Sequence, residues 1–234
     1  MGLRIKIFAD GADLEEMLQA HDSGLVQGFT TNPTLMRKAG VADYEEFARS
    51  VLREIQDMPI SFEVFSDDIG EMASQARTIA AWGSNVYVKI PVTNTQGEST
   101  AGIVRELSRQ GIRLNITALL SLSQVRRVCE ALDERTPAIV SLFAGRVADT
   151  GRDPVPMMRE AVQILRARPL AELLWASPRE ILNLIQADET GCHIITMTND
   201  LLKKISLLGT ELEVLSLQTV KMFYDDAAAS RYHL

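Results

Sequence analysis

The 234-residue chain is 46% hydrophobic and 24% charged, enough apolar material for a sizeable core and no signature of disorder. Its 31 acidic residues outnumber 24 lysines and arginines, for a formal net charge of -7, which excludes nucleic acid as a general partner and confines any anion site to a few arginines. No apolar run approaches the roughly 20 residues of a membrane helix, and the opening MGLRIKIFADGADLEE lacks the apolar run of a signal peptide. A cytoplasmic protein with no membrane partner is expected. Cys129 and Cys192 show neither metal spacing nor a disulfide framework, and read as buried thiols in a reducing compartment.

In chain order, short β-branched runs alternate with amphipathic helical stretches. Strands are predicted over Arg4–Asp10 and Val26–Thr30. A helix over Asp43–Gln56 precedes a strand over Ile60–Phe65, and a helix over Gly70–Trp82 follows it. Next come a strand over Val86–Pro91, a helix over Glu98–Gln110, a strand over Arg113–Thr117 and a helix over Leu122–Leu132. The last three strands are predicted over Ala138–Phe143, Glu172–Ser177 and His193–Met197, with helices over Pro156–Ala167 and Arg179–Ala187 between them. Eight such units in about 230 residues predict an α/β fold, a single (β/α)8 TIM barrel spanning 1–234. An open doubly wound sheet is the alternative. A further helical stretch at Leu212–Ala228, within an extra segment 212–230, is expected to cover the barrel mouth or dock on a neighbouring subunit. No Gly-rich loop follows a strand, so a Rossmann or P-loop reading has no support.

Barrel active sites lie at the C-terminal ends of the strands, and alternate side chains share a face. In VYVKIPV, Tyr87 and Lys89 oppose Val86, Val88 and Ile90. Asp10 opposes Ile5, Ile7 and Ala9, and Glu63 opposes Phe62 and Val64. Asn115 and Thr117 share a face, as do Ser141 and Phe143, and Trp175 and Ser177. Charged groups inside a barrel are costly unless paired or functional. Two readings of Lys89 stand side by side: a core lysine paired with Asp10 or Glu63, or a nucleophile whose burial favours the neutral amine that imine formation needs. His21, His193 and His233 are scattered and read as structural or surface groups, so no metal and no cofactor are expected.

Taken together, FAD at Phe8–Asp10, GFTTNPT at Gly28–Thr34, FEV around Glu63, VKIPVT at Val88–Thr93, LNIT at Leu114–Thr117, SLFAGR at Ser141–Arg146 and WASPR at Trp175–Arg179 carry a resemblance. From Ile5 to about Leu208 the chain resembles the transaldolase family, in particular the small subfamily that includes fructose-6-phosphate aldolase. The resemblance implies a class I aldolase mechanism in which Lys89 forms an imine with a ketose. It implies that Asp10 is the acid/base at the cleaved bond, and that Glu63 and Thr117 hold a water used in making and breaking the carbinolamine. Asn32, Asn115 and Ser141 would bind the dihydroxyacetone fragment. Arg146 and Arg179, helped by Ser177, would grip the distal phosphate, and Thr31 and Phe143 would shape the pocket. It further implies phosphorylated sugar substrates, a place in the pentose phosphate pathway and a pentameric or decameric homo-oligomer.

The aldolase branch of that family tends to carry Gln at the position of Glu63 and Tyr at that of Phe143, so both residues favour transfer of the fragment over release of free dihydroxyacetone. Pro178 stands where the family usually has Phe, and its fixed φ alters the loop that carries Arg179. No step is assigned to the Thr196–Asn199 stretch, and a specialised transaldolase that builds an unusual sugar fits these departures. Two rivals from other classes are a catalytically silent phosphosugar-binding barrel and an unrelated metal-dependent or isomerase barrel.

Overall fold

A computed structural model describes residues 2–230; His233 lies outside them. Eight strands, β1 (Lys6–Asp10), β2 (Phe29–Thr30), β3 (Ile60–Glu63), β4 (Val86–Pro91), β5 (Leu114–Leu119), β6 (Ala138–Leu142), β7 (Ala171–Trp175) and β8 (Ile194–Met197), pair in parallel, each with its sequence neighbours, and β8 closes on β1. This is the closed (β/α)8 barrel the alternation predicts. The helices are α1 (Leu14–Asp22), α2 (Pro33–Lys38), α3 (Tyr44–Glu54), α4 (Ile69–Ala80), α5 (Ala101–Arg109), α6 (Leu122–Ala131), α7 (Ala144–Ala148), α8 (Val155–Leu165), α9 (Leu182–Thr190), α10 (Asn199–Lys203) and α11 (Leu212–Ser230). None is long and apolar enough to cross a membrane. The barrel belongs to a compact unit that ends at Leu202; a second, small unit begins at Lys203 and contains α11, none of whose residues is buried.

The core has two layers. Between strands and helices, Phe62, Val88, Ile90, Leu114, Ile116, Val140, Leu142 and Trp175 are almost completely buried. They meet the apolar faces of helices whose starts are fixed by side-chain caps: Asp13, Asp43, Asp68 and Ser121 each accept a hydrogen bond from a backbone N–H in the first turn. Inside the barrel, Phe8, Ile139, Leu174, Ala176 and Ile194 form a plug against which Tyr87 and Phe143 pack. Both cysteines are buried, and burial pushes the Cys192 thiol up to about 12.

Predicted and observed boundaries differ where a side chain takes a backbone partner. The first strand begins at Lys6, since the Arg4 and Ile5 N–H groups both donate to Asp188 Oδ1, at 2.8 and 3.0 Å. The second has two residues in the ladder: Gln27 Oε1 accepts from Ile7 N at 2.8 Å, filling a ladder position with a side chain. Gly28 follows, where a Cβ would lie 2.5 Å from the Phe8 ring. The helix predicted from Arg179 begins at Leu182, because Asn183 Oδ1 first gathers the N–H groups of Arg179 and Glu180.

One facing assignment is corrected. On β7 the residues that face the barrel interior are Leu174 and Ala176, not Trp175. Ser177 would share the outward face of Trp175 by simple alternation. It reaches the interior because its φ is +61°, which breaks the period of two at that residue.

Candidate active site

A cavity of about 420 Å³ opens at the C-terminal ends of the strands. Asp10, Glu63, Lys89, Thr117, Ser141 and Phe143 line it, contributed by the ends of β1, β3, β4, β5 and β6, together with Asn32 and Arg146 from the loops and helices that follow β2 and β6.

Strand register sets the centre. Glu63 pairs with Lys89 across β3 and β4, and Lys89 pairs with Asn115 across β4 and β5, so the three lie side by side on neighbouring strands. Lys89 is buried; its Nζ donates to the Thr31 carbonyl at 2.9 Å and lies 3.2 Å from Glu63 Oε2. The pairing with Glu63 is therefore present, and the lysine also lines the cavity, as the nucleophile reading requires of its position. Thr117 Oγ1, on the next strand, is buried without a hydrogen-bond partner among the described residues. Such an atom is rare enough in a core to point to a ligand-facing role.

Asp10 sits opposite, at the end of β1. Burial pushes its carboxyl above the usual carboxylate range, while the charge of Lys89 and a hydrogen bond from Thr30 pull it back. Thr30 Oγ1 donates to Asp10 Oδ1 at 2.7 Å, so in the 2.6 Å contact between Thr30 and Thr196 it is Thr196 that donates. This hydroxyl chain fixes which carboxylate oxygen is engaged. Thr30 and Thr196 both line the cavity, although the sequence assigned a role to neither. Thr30 precedes Thr31 in the same TTNP motif, but only the 166-residue closure of β8 on β1 brings Thr196 to it.

The motif GFTTNPT does two jobs. Asn32 Oδ1 accepts from Leu35 N at 2.9 Å and Pro33 is the first residue of α2, a helix-start signature that turns the chain sharply after β2. The amide nitrogen of Asn32 remains for a ligand. Replacing Asn32 with Asp is expected to keep the cap and hence the melting temperature, while lowering activity. Replacement with Ala should lose both the cap and the activity, at a stability loss of about 1 kcal/mol. Thermal melts beside initial rates on the two variants separate the roles.

Several expected site residues stand one step back. Thr31 is fully buried and its hydroxyl donates to the Ser61 carbonyl at 2.8 Å; its own carbonyl holds Lys89. Asn115 is fully buried, accepts from Ser141 Oγ at 2.7 Å and donates to Ser61 Oγ at 2.9 Å, so it orients Ser141 and is absent from the cavity wall. Arg146 reaches the cavity with its guanidinium 5.9 Å from the centre of the Phe143 ring, within cation–π range. Ser177 lines the cavity; Arg179 does not. Arg179 instead forks onto Asp149, with Nε at 2.9 Å from Oδ1 and Nη2 on Oδ2.

A closed parallel barrel with a lysine and two carboxylates at the C-terminal ends of its strands places the chain among the (β/α)8-barrel enzymes. Residues 7–232 match the Transaldolase/Fructose-6-phosphate aldolase family, and the chain belongs to that family. It is 36% identical over 194 residues to a "Probable transaldolase" of Dehalococcoides mccartyi, covering 82% of this chain and 86% of that protein. It is 35% identical over 202 residues to "Probable transaldolase 2" of Listeria monocytogenes, covering 86% and 88%. Among solved structures, 3-keto-L-gulonate-6-phosphate decarboxylase from Vibrio cholerae shares the fold at a TM-score of 0.58 and 10% identity, covering 85% of this chain and 89% of that one. The family match and the two relatives support a transaldolase-type enzyme.

Proposed function

We propose that the chain transfers a dihydroxyacetone unit from a ketose phosphate, sedoheptulose 7-phosphate or fructose 6-phosphate, to an aldose phosphate through an imine on Lys89. The observation that carries this reading is the placing of Lys89 Nζ, 3.2 Å from a carboxylate that can accept its proton and in one cavity with Asp10 and Thr117. The amine adds to the ketose carbonyl and the carbinolamine loses water, with Glu63 and Thr117 holding that water. Asp10 takes the proton of the hydroxyl on the carbon beyond the cleaved bond. The bonding pair flows into the iminium to give an enamine, and the first aldose departs. The enamine then attacks the acceptor aldose, and water releases the product ketose. Ser141 and the amide of Asn32 hold the retained fragment, and Asn115 acts on it through Ser141. Arg146 reads the phosphate.

Phe143 supports transfer over release. A phenol at this wall would add a group able to order water or move a proton next to the enamine; the phenyl ring cannot. Borohydride added with fructose 6-phosphate should trap a dihydroxyacetone adduct on Lys89, and without an acceptor the native protein should release little free dihydroxyacetone. Phe143→Tyr is expected to raise the ratio of release to transfer several-fold. An adduct on another lysine would sink the mechanism, and an unchanged ratio would remove Phe143 as the branch determinant.

The same reading includes a homo-oligomer. Leu212, Val214, Leu217, Val220, Met222, Phe223 and Tyr224 on α11 are each at least half exposed. A helix apolar on every side is normally buried, and this load supports docking of α11 on a neighbouring copy.

A further inference from the structure

Arg179 has the residue type for phosphate, yet it does not line the cavity that Arg146 lines. What holds it is a fork. The Nε and Nη2 edge of the guanidinium is engaged by both oxygens of Asp149, one helical turn after Arg146. The contact is solvent-exposed, with the two side chains 46% and 50% exposed, so it is weak enough to exchange with a competing anion. Arg179 holds Asp149 below the usual carboxylate range, and Arg146 adds to that pull. Arg146, Arg179 and Asp149 together carry a single net positive charge. A phosphate ester offers oxygens of the same fork geometry as a carboxylate.

We propose that Asp149 is a specificity-determining residue: it occupies the fork of Arg179 as an internal anion, and a substrate phosphate must displace it to gain the second arginine. On the phosphosugar reading of this site, Asp149 thus sets how strongly the enzyme prefers phosphorylated over free aldoses. It lowers affinity for the phosphate and makes that affinity depend on whether the ligand's anion wins the fork. Nothing in the local motif SLFAGR shows this, because the partner stands 30 residues away, beyond Pro178.

The test compares Asp149→Asn with the native enzyme at low ionic strength, using glyceraldehyde 3-phosphate and glyceraldehyde as acceptors. Inorganic phosphate binding is measured calorimetrically alongside. Releasing an exposed pair of this kind should lower KM for the phosphorylated acceptor about two- to fivefold. It should tighten phosphate binding by a similar factor, with the gain fading as salt is added. In an Arg179→Gln background the same replacement should bring little gain. A higher KM in Asp149→Asn would mean that Asp149 positions Arg179 for the ligand, and overturns the proposal, as does no change in KM and phosphate binding, or a full gain in the Arg179→Gln background. Phosphate binding needs no turnover. Tighter phosphate binding without any transfer activity would therefore refute the transaldolase reading and support the role of Asp149; transfer with no phosphate effect would do the reverse.

Discussion

Lys89→Met is expected to abolish both cleavage and transfer, a loss of at least about 10⁴-fold in kcat/KM, and to destabilise the fold at the same time. The activity loss follows from removing the atom that becomes bonded to the substrate; without it the carbonyl has no electron sink of matching strength. The stability loss follows from burial. Lys89 and Glu63 side chains are 9% and 15% exposed, and the amine also satisfies the Thr31 carbonyl. Removing one partner of a buried ion pair leaves the other uncompensated, at a cost of about 3 kcal/mol. The double variant Lys89→Met with Glu63→Gln removes both charges and should regain most of that stability while staying inactive. Denaturant melts on the single and double variants, with borohydride trapping on each, check the pair. A single variant as stable as the native protein would show that Glu63 finds solvent or a proton without cost, and a trapped adduct in either variant would place the nucleophile elsewhere.

The parts of this molecule legible in the sequence are those set by neighbouring residues. Val86–Pro91 is bounded as predicted, since a run of β-branched residues alternating with Tyr87 and Lys89 has one reading in a barrel. The strand after it gives up the simple pattern at Ala118, whose φ of +63° shifts the β5–β6 register; no residue type there announces a bulge. Lys89, Asp10, Glu63 and Thr117 were legible as one interior set because each lies on an inward phase of its strand, while the roles given to them came only with the family resemblance. The hydroxyl chain through Thr30 and Thr196 was not, since it depends on the closure of the sheet. Arg179 shows the same limit from the other side. Its motif names it, but an ion pair with Asp149, the residue that follows α7, decides where its guanidinium goes.

Gly145→Ala is expected to unfold the part of the cavity lined by Arg146 and Ser177 more severely than any surface change there. A Cβ at Gly145 would lie 1.6 Å from the Ser177 carbonyl oxygen and 2.6 Å from its carbon, so backbone must move. The displaced residue is poorly placed to yield: Ser177 already holds a positive φ, and Pro178 restricts the chain after it. The Gly145 N–H also donates to the Ala176 carbonyl at 3.3 Å, a bond that any separation of α7 from β7 breaks. Overpacking of this kind should cost about 3 kcal/mol, or roughly 6–12 °C of Tm at this chain length. Arg146 follows directly and Ser177 is the residue pushed, so KM for phosphorylated substrates should rise more than KM for free aldoses. Gly102→Ala is the control. It lies within α5 with open space around a new Cβ, and should stabilise by up to about 1 kcal/mol. An unchanged Tm in Gly145→Ala would mean that the Ser177 turn relaxes freely, and the positive φ there would then be incidental to the shape of the cavity.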